Sequence, residues 1–246
     1  MRQIYINDRS LNEFGAKLAT DYGITGYEIT NAYHQGPDRS NLLLLRQTRA
    51  PLTITLPLDF YGADKVETMS NISAFTAQCR GLVEIDLSDG FSYTCLLDEI
   101  GGTSWLNDEI CSVDVSFLGI RHGESLHFAG STPLTILRTD TWPLNDCKIT
   151  IKQLAVTSNT PVVITLSNEA GIYLDWRIDV SSGIFSGGDL VLDGIEKRNL
   201  YNGGNIPPGT MTWTDYPYLC PGRNTLQVSG GVTSAQLELD YTQTYL

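Results

Sequence analysis

The sequence predicts a mainly β protein made of two β-sandwich or barrel domains, the first of which carries a single helix. Three observations predict this class. Only 18% of the 246 residues are charged, while Gly, Ser, Thr and Asn are abundant. Apolar residues alternate with polar ones along many short segments, and turn signals separate those segments. With 41% hydrophobic residues the chain can build two cores, and we expect domains at residues 1–125 and 126–246.

Four short apolar segments predict the strands that open the first domain: Ile4–Ile6, Ile24–Tyr33, Leu42–Leu45 and Thr53–Leu56, the last of them bounded by Pro57. A hairpin and a third strand follow after residue 80. Val83, Ile85 and Leu87 alternate with polar residues, and Asp89-Gly90 then reverses the chain into Phe91–Ile100, which is a strong hairpin pattern. Alternation over Cys111–Phe117 predicts the third strand of an antiparallel meander.

Residues 63–80 interrupt the strand pattern and predict the single helix. Acidic residues lie in its first turn and Gly81 follows its end, as helix termini favour. Apolar side chains recur at spacings of three and four and predict one core-facing stripe: Val66, Met69, Ile72, Phe75 and Cys79. We expect this helix to pack on a sheet face or to close the mouth of a barrel.

Gly119–Pro133 is rich in glycine, has a weak strand pattern and is expected to form the boundary between the domains. Beyond it the sequence predicts strands only. Clear alternation covers four segments: Lys148–Lys152, Val162–Leu166, Ile172–Ile178 and Ala235–Tyr241. Ser229-Gly230-Gly231 permits a tight reversal before the last of these, because glycine adopts positive φ at little cost. The spacing of strands and turns is typical of a sandwich.

The formal net charge of −12 and the sequence pI of about 4.5 argue against binding to nucleic acid through phosphates, since no Lys or Arg cluster is present. No apolar run has the length of a membrane span, and the first residues lack the apolar core of a secretory signal, so we expect folding in the cytosol. Five cysteines without a CxxC pair predict reduced, buried thiols. We expect no cofactor and no metal, although a zinc site stays an alternative.

No residue pattern in the sequence predicts a catalytic site. His34, His122 and His127 belong to no nucleophile or metal motif. The carboxylates of the predicted strands alternate with core residues, which is the pattern of a solvent-facing sheet surface. A glycoside hydrolase would need two of them facing each other across a cleft. The Asp-Gly turns lack the ligand spacing of a calcium loop.

The four tryptophans give the candidate binding residues. Trp176 is in phase with core residues of its strand, whereas Trp142 and Trp213 lie near turns. Exposed aromatic rings stack on sugars, so a carbohydrate-binding β-sandwich module is the alternative function. Trp105 and the adjoining Leu106 lie near the tip of a turn, and we expect them at a protein interface, because aromatic side chains concentrate in the buried centres of contacts.

Four stretches of the chain, spread over nearly its whole length, resemble one known family: Arg2–Asn7, Leu56–Gly62, Asp89–Tyr93 and Tyr218–Asn224 with the following Leu237–Tyr241 strand. They are similar to the distal tail proteins of long-tailed phages and prophages of Gram-positive bacteria, also called Dit or baseplate hub proteins. The resemblance rests on turn and strand residues. It contains no catalytic motif.

This resemblance implies a non-enzymatic structural protein of the virion, located at the phage tail tip and assembled in the cytoplasm of the host bacterium. The first domain is expected to form a ring, generally a hexamer, and the second to be a galectin-like sandwich. The implied partners are further copies of the chain, the tail tube protein, the tail-tip or tail-associated lysin protein and, in some phages, receptor-binding proteins. DNA is expected only as passing cargo, kept from sticking by part of the negative charge.

Overall fold

The computed structural model describes residues 3–26, 29–34, 43–156, 160–179, 185–232 and 235–245. The chain divides into two compact units, residues 1–123 with 245–246 and residues 124–244. Strands dominate both units, and a single α-helix occurs in the described part of the chain. The predicted mainly β fold with one helix is therefore confirmed. That residues 1–125 and 126–246 are separate domains stays a prediction.

The first unit contains short antiparallel strands, one helix and a 3-10 turn. In chain order they are β1 (Tyr5–Ile6), β2 (Arg9–Ser10), the 3-10 turn Leu11–Phe14, β3 (Ala16–Leu18), β4 (Gly23–Thr25), β5 (Ile29–His34), β6 (Leu43–Arg49), β7 (Leu52–Tyr61), α1 (Lys65–Gln78), β8 (Leu82–Asp86), β9 (Ser92–Ile100), β10 (Ser104–Trp105) and β11 (Ile110–Ser131). Strand β11 continues into the second unit.

The main sheet of the first unit has the order β2-β1-β8-β9-β11-β7, and β3 and β4 pair with the other side of β7. Alternate side chains of these strands are buried in one apolar core, as the period of two requires. The predicted β8–β9 hairpin and its meander with β11 are confirmed. At the turn, Asp89 accepts hydrogen bonds from the Phe91 amide at 3.1 Å and the Tyr93 hydroxyl at 2.7 Å.

Strand β7 runs through Pro57, so the prediction that this proline ends the strand is wrong. On one side of β7, β3 pairs with residues 58–60 and β4 pairs with residues 53–55. Pro57 lies in the gap between those two partners, where a missing N–H removes no hydrogen bond of either ladder. Its carbonyl accepts a hydrogen bond from the Ala19 amide at 2.9 Å.

Helix α1 begins after Asp64, whose side chain accepts hydrogen bonds from the amides of Val66 and Glu67. The predicted range, 63–80, also includes the capping residues at both ends and is therefore longer than the helix itself. The predicted apolar stripe is only partly buried. Ile72, Phe75 and Cys79 lie in the core, whereas Val66 and Met69 are 78% and 45% exposed. Thr68 takes the buried position in the first turns of the helix.

The expected boundary over Gly119–Pro133 is largely continuous strand, because β11 extends to Ser131. Gly119, one of the glycines that suggested a linker, has another cause. A Cβ at Gly119 would lie 2.3 Å from the sulfur of Cys95, so the paired strand β9 leaves no room for a side chain there. The two compact units meet in sequence between Gly123 and Glu124, inside this strand.

The second unit contains strands, as predicted. They are the end of β11, β12 (Leu134–Arg138), β13 (Asn145–Ala155), β14 (Val162–Asn168), β15 (Gly171–Ile178), β16 (Ser186–Asp193), β17 (Arg198–Tyr201), β18 (Gly204–Asn205), β19 (Met211–Trp213), β20 (Tyr218–Leu219), β21 (Gly222–Ser229) and β22 (Gln236–Tyr245).

Two sheets of the second unit enclose one apolar core. One has the order β12-β21-β14-β15-β19, and the other the order β18-β17-β16-β13-β22-β11. Core residues come from both sheets, including Trp176 and Leu226 from the first and Ile149 and Leu239 from the second. This arrangement is a β-sandwich. The galectin-like character expected for it stays a prediction.

The five cysteines are free, and Cys220 alone among them is partly exposed. Burial raises the pKa of the Cys79 and Cys95 thiols to about 12, so almost no thiolate exists there at pH 8. We expect a chromogenic disulfide reagent at pH 8 to label at most one thiol quickly in the native protein and all five in denaturant. Fast labelling of two or more native thiols would contradict the buried positions.

Candidate assembly site

In the described part of the chain, no group of three or more His, Cys, Asp or Glu side chains could hold a metal ion. His127 lies at the surface, with its Nδ1 2.6 Å from Asp240. Burial lowers the pKa of His122. The side chain of His34 lies outside the described residues.

The three tryptophans of the second unit differ in burial, as their positions in predicted strands and turns indicate. Trp176 is fully buried in the core, which confirms its predicted position. Trp142 is half-buried and its amide donates a hydrogen bond to the Thr244 carbonyl at 3.1 Å. Trp213 is 44% exposed, with its ring centre 6.4 Å from that of Tyr216. One exposed tryptophan with a tyrosine neighbour is therefore available for stacking.

Trp105 and Leu106, the predicted interface residues, differ in exposure. Trp105 lies on β10, which pairs with β11, and its ring packs partly on the core of the first unit. The Lys65 ammonium lies 4.8 Å from the centre of that ring. Leu106 starts the tip of the turn and is 66% exposed. Leu106 is thus the more accessible of the two, and an interface role for either stays a prediction.

The turn that carries Leu106 is hydrogen-bonded to the start of helix α1. The Glu109 carbonyl accepts from the Gly62 amide and from the Thr68 hydroxyl, each at 3.0 Å. These bonds and the Lys65–Trp105 contact fix the turn against the helix. We define the helix–loop surface as the exposed apolar side chains that this frame carries: Val66, Met69 and Leu106.

A second apolar surface crosses the outer face of the main sheet in the first unit. Leu82 pairs with Leu96, and Leu96 pairs with Leu118, so the three lie side by side on β8, β9 and β11. We call them the leucine row. Leu82 is 70% and Leu96 50% exposed, and Leu118 is half-buried. Sequence reasoning missed this row, although Leu82 stands out of phase with the core residues Val83 and Ile85.

Carboxylates lie on both sides of the leucine row, on the same face of the sheet. On one side Glu84 is paired with Thr94 and accepts a hydrogen bond from its hydroxyl at 2.8 Å. On the other side Glu99 is paired with Ser116, and Asp114 lies two residues further along β11. We call these three exposed carboxylates the acidic rim. Arg80, two residues before Leu82, is the nearest exposed cation in sequence.

The chain is similar to solved structures from two phages. The crystal structure of the SPP1 Dit protein, described as a paradigm of the hub adsorption apparatus in phages that infect Gram-positive bacteria, matches with a TM-score of 0.72. The identity is 12%, and the match covers 100% of both chains. Two structures of the phage P2 baseplate in its activated conformation, with Ca and with Sr, match at TM-scores of 0.49 and 0.48, with 10% and 11% identity over 100% of both chains.

No family model and no curated protein matches the chain. The full-length structural match therefore shows the fold, and it does so over both units. The family that the sequence resembles is also the family of this structural neighbour. The chain has the fold of the phage distal tail protein Dit.

Proposed function

We propose that the protein is a non-enzymatic structural component of a phage tail tip, where it forms a ring that acts as an adaptor, or hub. The observation that carries this proposal is the match to the SPP1 Dit protein over the whole of both chains. A match of this extent includes both units, so the resemblance is not limited to a common sandwich. Since a fold alone does not fix a function, the surfaces of this chain provide the second argument.

The apolar side chains exposed on the first unit favour self-association. The helix–loop surface and the leucine row place five large apolar side chains at 45% exposure or more: Leu82, Leu96, Val66, Met69 and Leu106. Contiguous exposed apolar residues mark contact sites in soluble proteins. If one patch of each copy binds a different patch of the next copy, the copies form a ring when the rotation from copy to copy closes. The proposed ring is a hexamer built from the first unit.

The proposed partners are the tail tube protein on one side of the ring and the tail-tip or tail-associated lysin protein on the other. Receptor-binding proteins are proposed as further partners, and the virion tail tip as the location, after assembly in the host cytoplasm. The net charge of −12 supports a lumen through which DNA passes without binding, because like charges repel. The described residues include no helix that is long and apolar enough to cross a membrane.

One observation favours a second function for the sandwich of the second unit. Trp213 and Tyr216 expose neighbouring aromatic rings, which is a stacking surface for a sugar. Glycan binding that disappears in Trp213→Ala would support a carbohydrate-binding module. Trp142, the other candidate, is half-buried and offers less ring surface.

Light scattering and negative-stain imaging of the purified protein test the proposed ring. We expect a closed ring of about six copies. Leu106→Asp is expected to raise the protein concentration needed for half-assembly by about tenfold, since a charge would enter an apolar contact. Leu137→Asp is the matched control, because Leu137 is a 59% exposed leucine of the second unit. A protein that stays monomeric at high concentration, alone and with its tail-tube protein, would overturn the proposal.

A further inference from the structure

We propose that Asn202 is a site of spontaneous deamidation and that strand β16 keeps this site closed in the folded protein. Asn202 is followed by Gly203, and the sequence contains no other Asn-Gly pair. The pair lies at the tip of the β17–β18 hairpin, and both residues are exposed. The site belongs to the second unit alone, so it does not depend on the proposed ring.

An Asn-Gly pair favours this reaction because glycine has no side chain that would hinder its backbone nitrogen. The nitrogen of Gly203 attacks Cγ of Asn202, and the new nitrogen–carbon bond closes a five-membered succinimide ring. The side-chain nitrogen of Asn202 takes up the proton of the Gly203 amide and leaves as ammonia. Water then opens the ring at one of its two carbonyls, so the product at position 202 is aspartate or isoaspartate.

The backbone of the hairpin both requires this pair and holds it in an unreactive conformation. Asn202 and Gly203 have positive φ, 49° and 76°, which is typical of a two-residue type I′ turn with its favoured Asn-Gly sequence. In this left-handed region, Cβ of Asn202 and the Gly203 nitrogen lie on opposite sides of the Cα–C bond. The succinimide ring requires them on the same side. The turn therefore has to open before the reaction can start.

Contacts with strand β16 oppose this opening. The backbone amide of Asp189 donates to Oδ1 of Asn202 at 3.0 Å, and the backbone amide of Asn202 donates to the Asp189 carbonyl at 2.9 Å. The side-chain amide of Asn202 also fills the space beside Gly188, because a Cβ built at Gly188 would lie 2.2 to 2.5 Å from three of its atoms. The absence of a side chain at position 188 thus allows β16 to hold the amide in place.

The position of the hairpin makes these contacts decisive. Strands β17 and β18 lie at the edge of their sheet, and β18 contains only two residues. Short elements at an edge open locally at a small cost in free energy. The contacts with β16 therefore set how often the turn opens and how fast Asn202 reacts. Isoaspartate lengthens the main chain by one carbon atom, so a modified turn would no longer pair β17 with β18 in register.

Peptide mapping by mass spectrometry after incubation at pH 8 tests the proposal on the full chain. We expect deamidation of Asn202 to be about tenfold slower, or more, in the folded wild type than in the same chain unfolded in urea. Gly188→Ala is expected to remove most of this difference, since the added methyl group displaces the Asn202 amide. Gly204→Ala is the matched control in the same hairpin, because a Cβ there would meet only the Tyr201 carbonyl oxygen, at 3.6 Å. Circular dichroism checks that each variant is folded.

Hydrogen exchange at the Asp189 backbone amide gives a second measurement that needs no change at position 188. The amide is expected to exchange slowly in the wild type, because it donates to Asn202. In Asn202→Gly, which keeps the positive φ but lacks the acceptor, we expect exchange to be about tenfold faster.

Slow deamidation in the folded wild type, with fast deamidation in urea and in Gly188→Ala, supports the closed site. Three results would overturn it. Asn202 could react no faster than Asn205 in the unfolded chain, or as fast in the folded wild type as in urea. A folded Gly188→Ala variant could also be as slow as the wild type, which would remove the role of β16. Unprotected exchange at Asp189 in the wild type would contradict the same role, whether or not Gly188→Ala folds.

Discussion

Asp140→Ala is expected to lower the free energy of unfolding of the second unit by about 3–5 kcal/mol, because it leaves a buried arginine without its counter-charge. Arg138 and Asp140 are fully buried side chains joined by two bonds. Nε of Arg138 lies 2.7 Å from Oδ1 of Asp140, and one terminal nitrogen lies 3.1 Å from Oδ2. When one partner of such a pair is removed, the other remains as a buried charge without a counter-charge, and this destabilises the fold.

Asp140 also holds together three segments, of which the end of β22 is 104 residues away in sequence. Its Oδ2 accepts hydrogen bonds from the Asn145 amide group at 2.8 Å and from the Thr244 backbone amide at 3.0 Å. Arg138 donates to the backbone carbonyls of Trp142 and Leu219. The carboxylate therefore connects strand β12, the start of β13 and the end of β22. Its loss would release polar groups in each of them.

Urea unfolding followed by tryptophan fluorescence and far-ultraviolet circular dichroism measures this effect. Asp146→Ala is the matched control: Asp146 pairs with Lys197 at 2.8 Å, but both side chains are about half-exposed. An exposed pair of this kind contributes about 1 kcal/mol or less. Equal effects of the two substitutions would contradict a network that acts through its burial.

Local rules predicted those elements whose partners are close in sequence. The Asp89-Gly90 hairpin follows from its turn and from alternation on both sides, and helix α1 follows from spacing and capping. Pro57 and Gly119 were misjudged because their tolerance depends on distant strands. Pro57 lies opposite a gap between β3 and β4, and Gly119 lies against Cys95. These partners cannot be identified from the residues that flank Pro57 or Gly119 in the sequence.

The candidate assembly surfaces were predicted less well than the fold, for the same physical reason. Trp105 and Leu106 follow from their position at a turn, which one stretch of sequence defines. The leucine row arises only when β8, β9 and β11 are paired in register, since its three members are widely separated in sequence. A lone exposed leucine is common on protein surfaces, and only the alignment of several marks a contact site.

The two faces of helix α1 give the second large prediction. Phe75→Ala is expected to destabilise the first unit by about 3–5 kcal/mol, the usual effect of removing a buried aromatic ring. The Phe75 ring is 1% exposed and makes edge contacts with two others, Phe14 at 5.7 Å and Phe60 at 5.5 Å between centres. Its loss would leave a cavity between the helix, the 3-10 turn and strand β7.

Val66→Ala in the same helix is the control, and we expect it to change the free energy of unfolding by no more than about 0.5 kcal/mol. Val66 belongs to the same apolar stripe in the sequence, but it is 78% exposed, so its methyl groups contribute little to the core. Urea unfolding measures both variants. If Val66→Ala were as destabilising as Phe75→Ala, the stripe would face the core throughout, and the helix–loop surface would lose one of its three residues. If only Phe75→Ala destabilises, the buried face of the helix stabilises the unit and the exposed face is free to contact another protein surface, as the helix–loop surface requires.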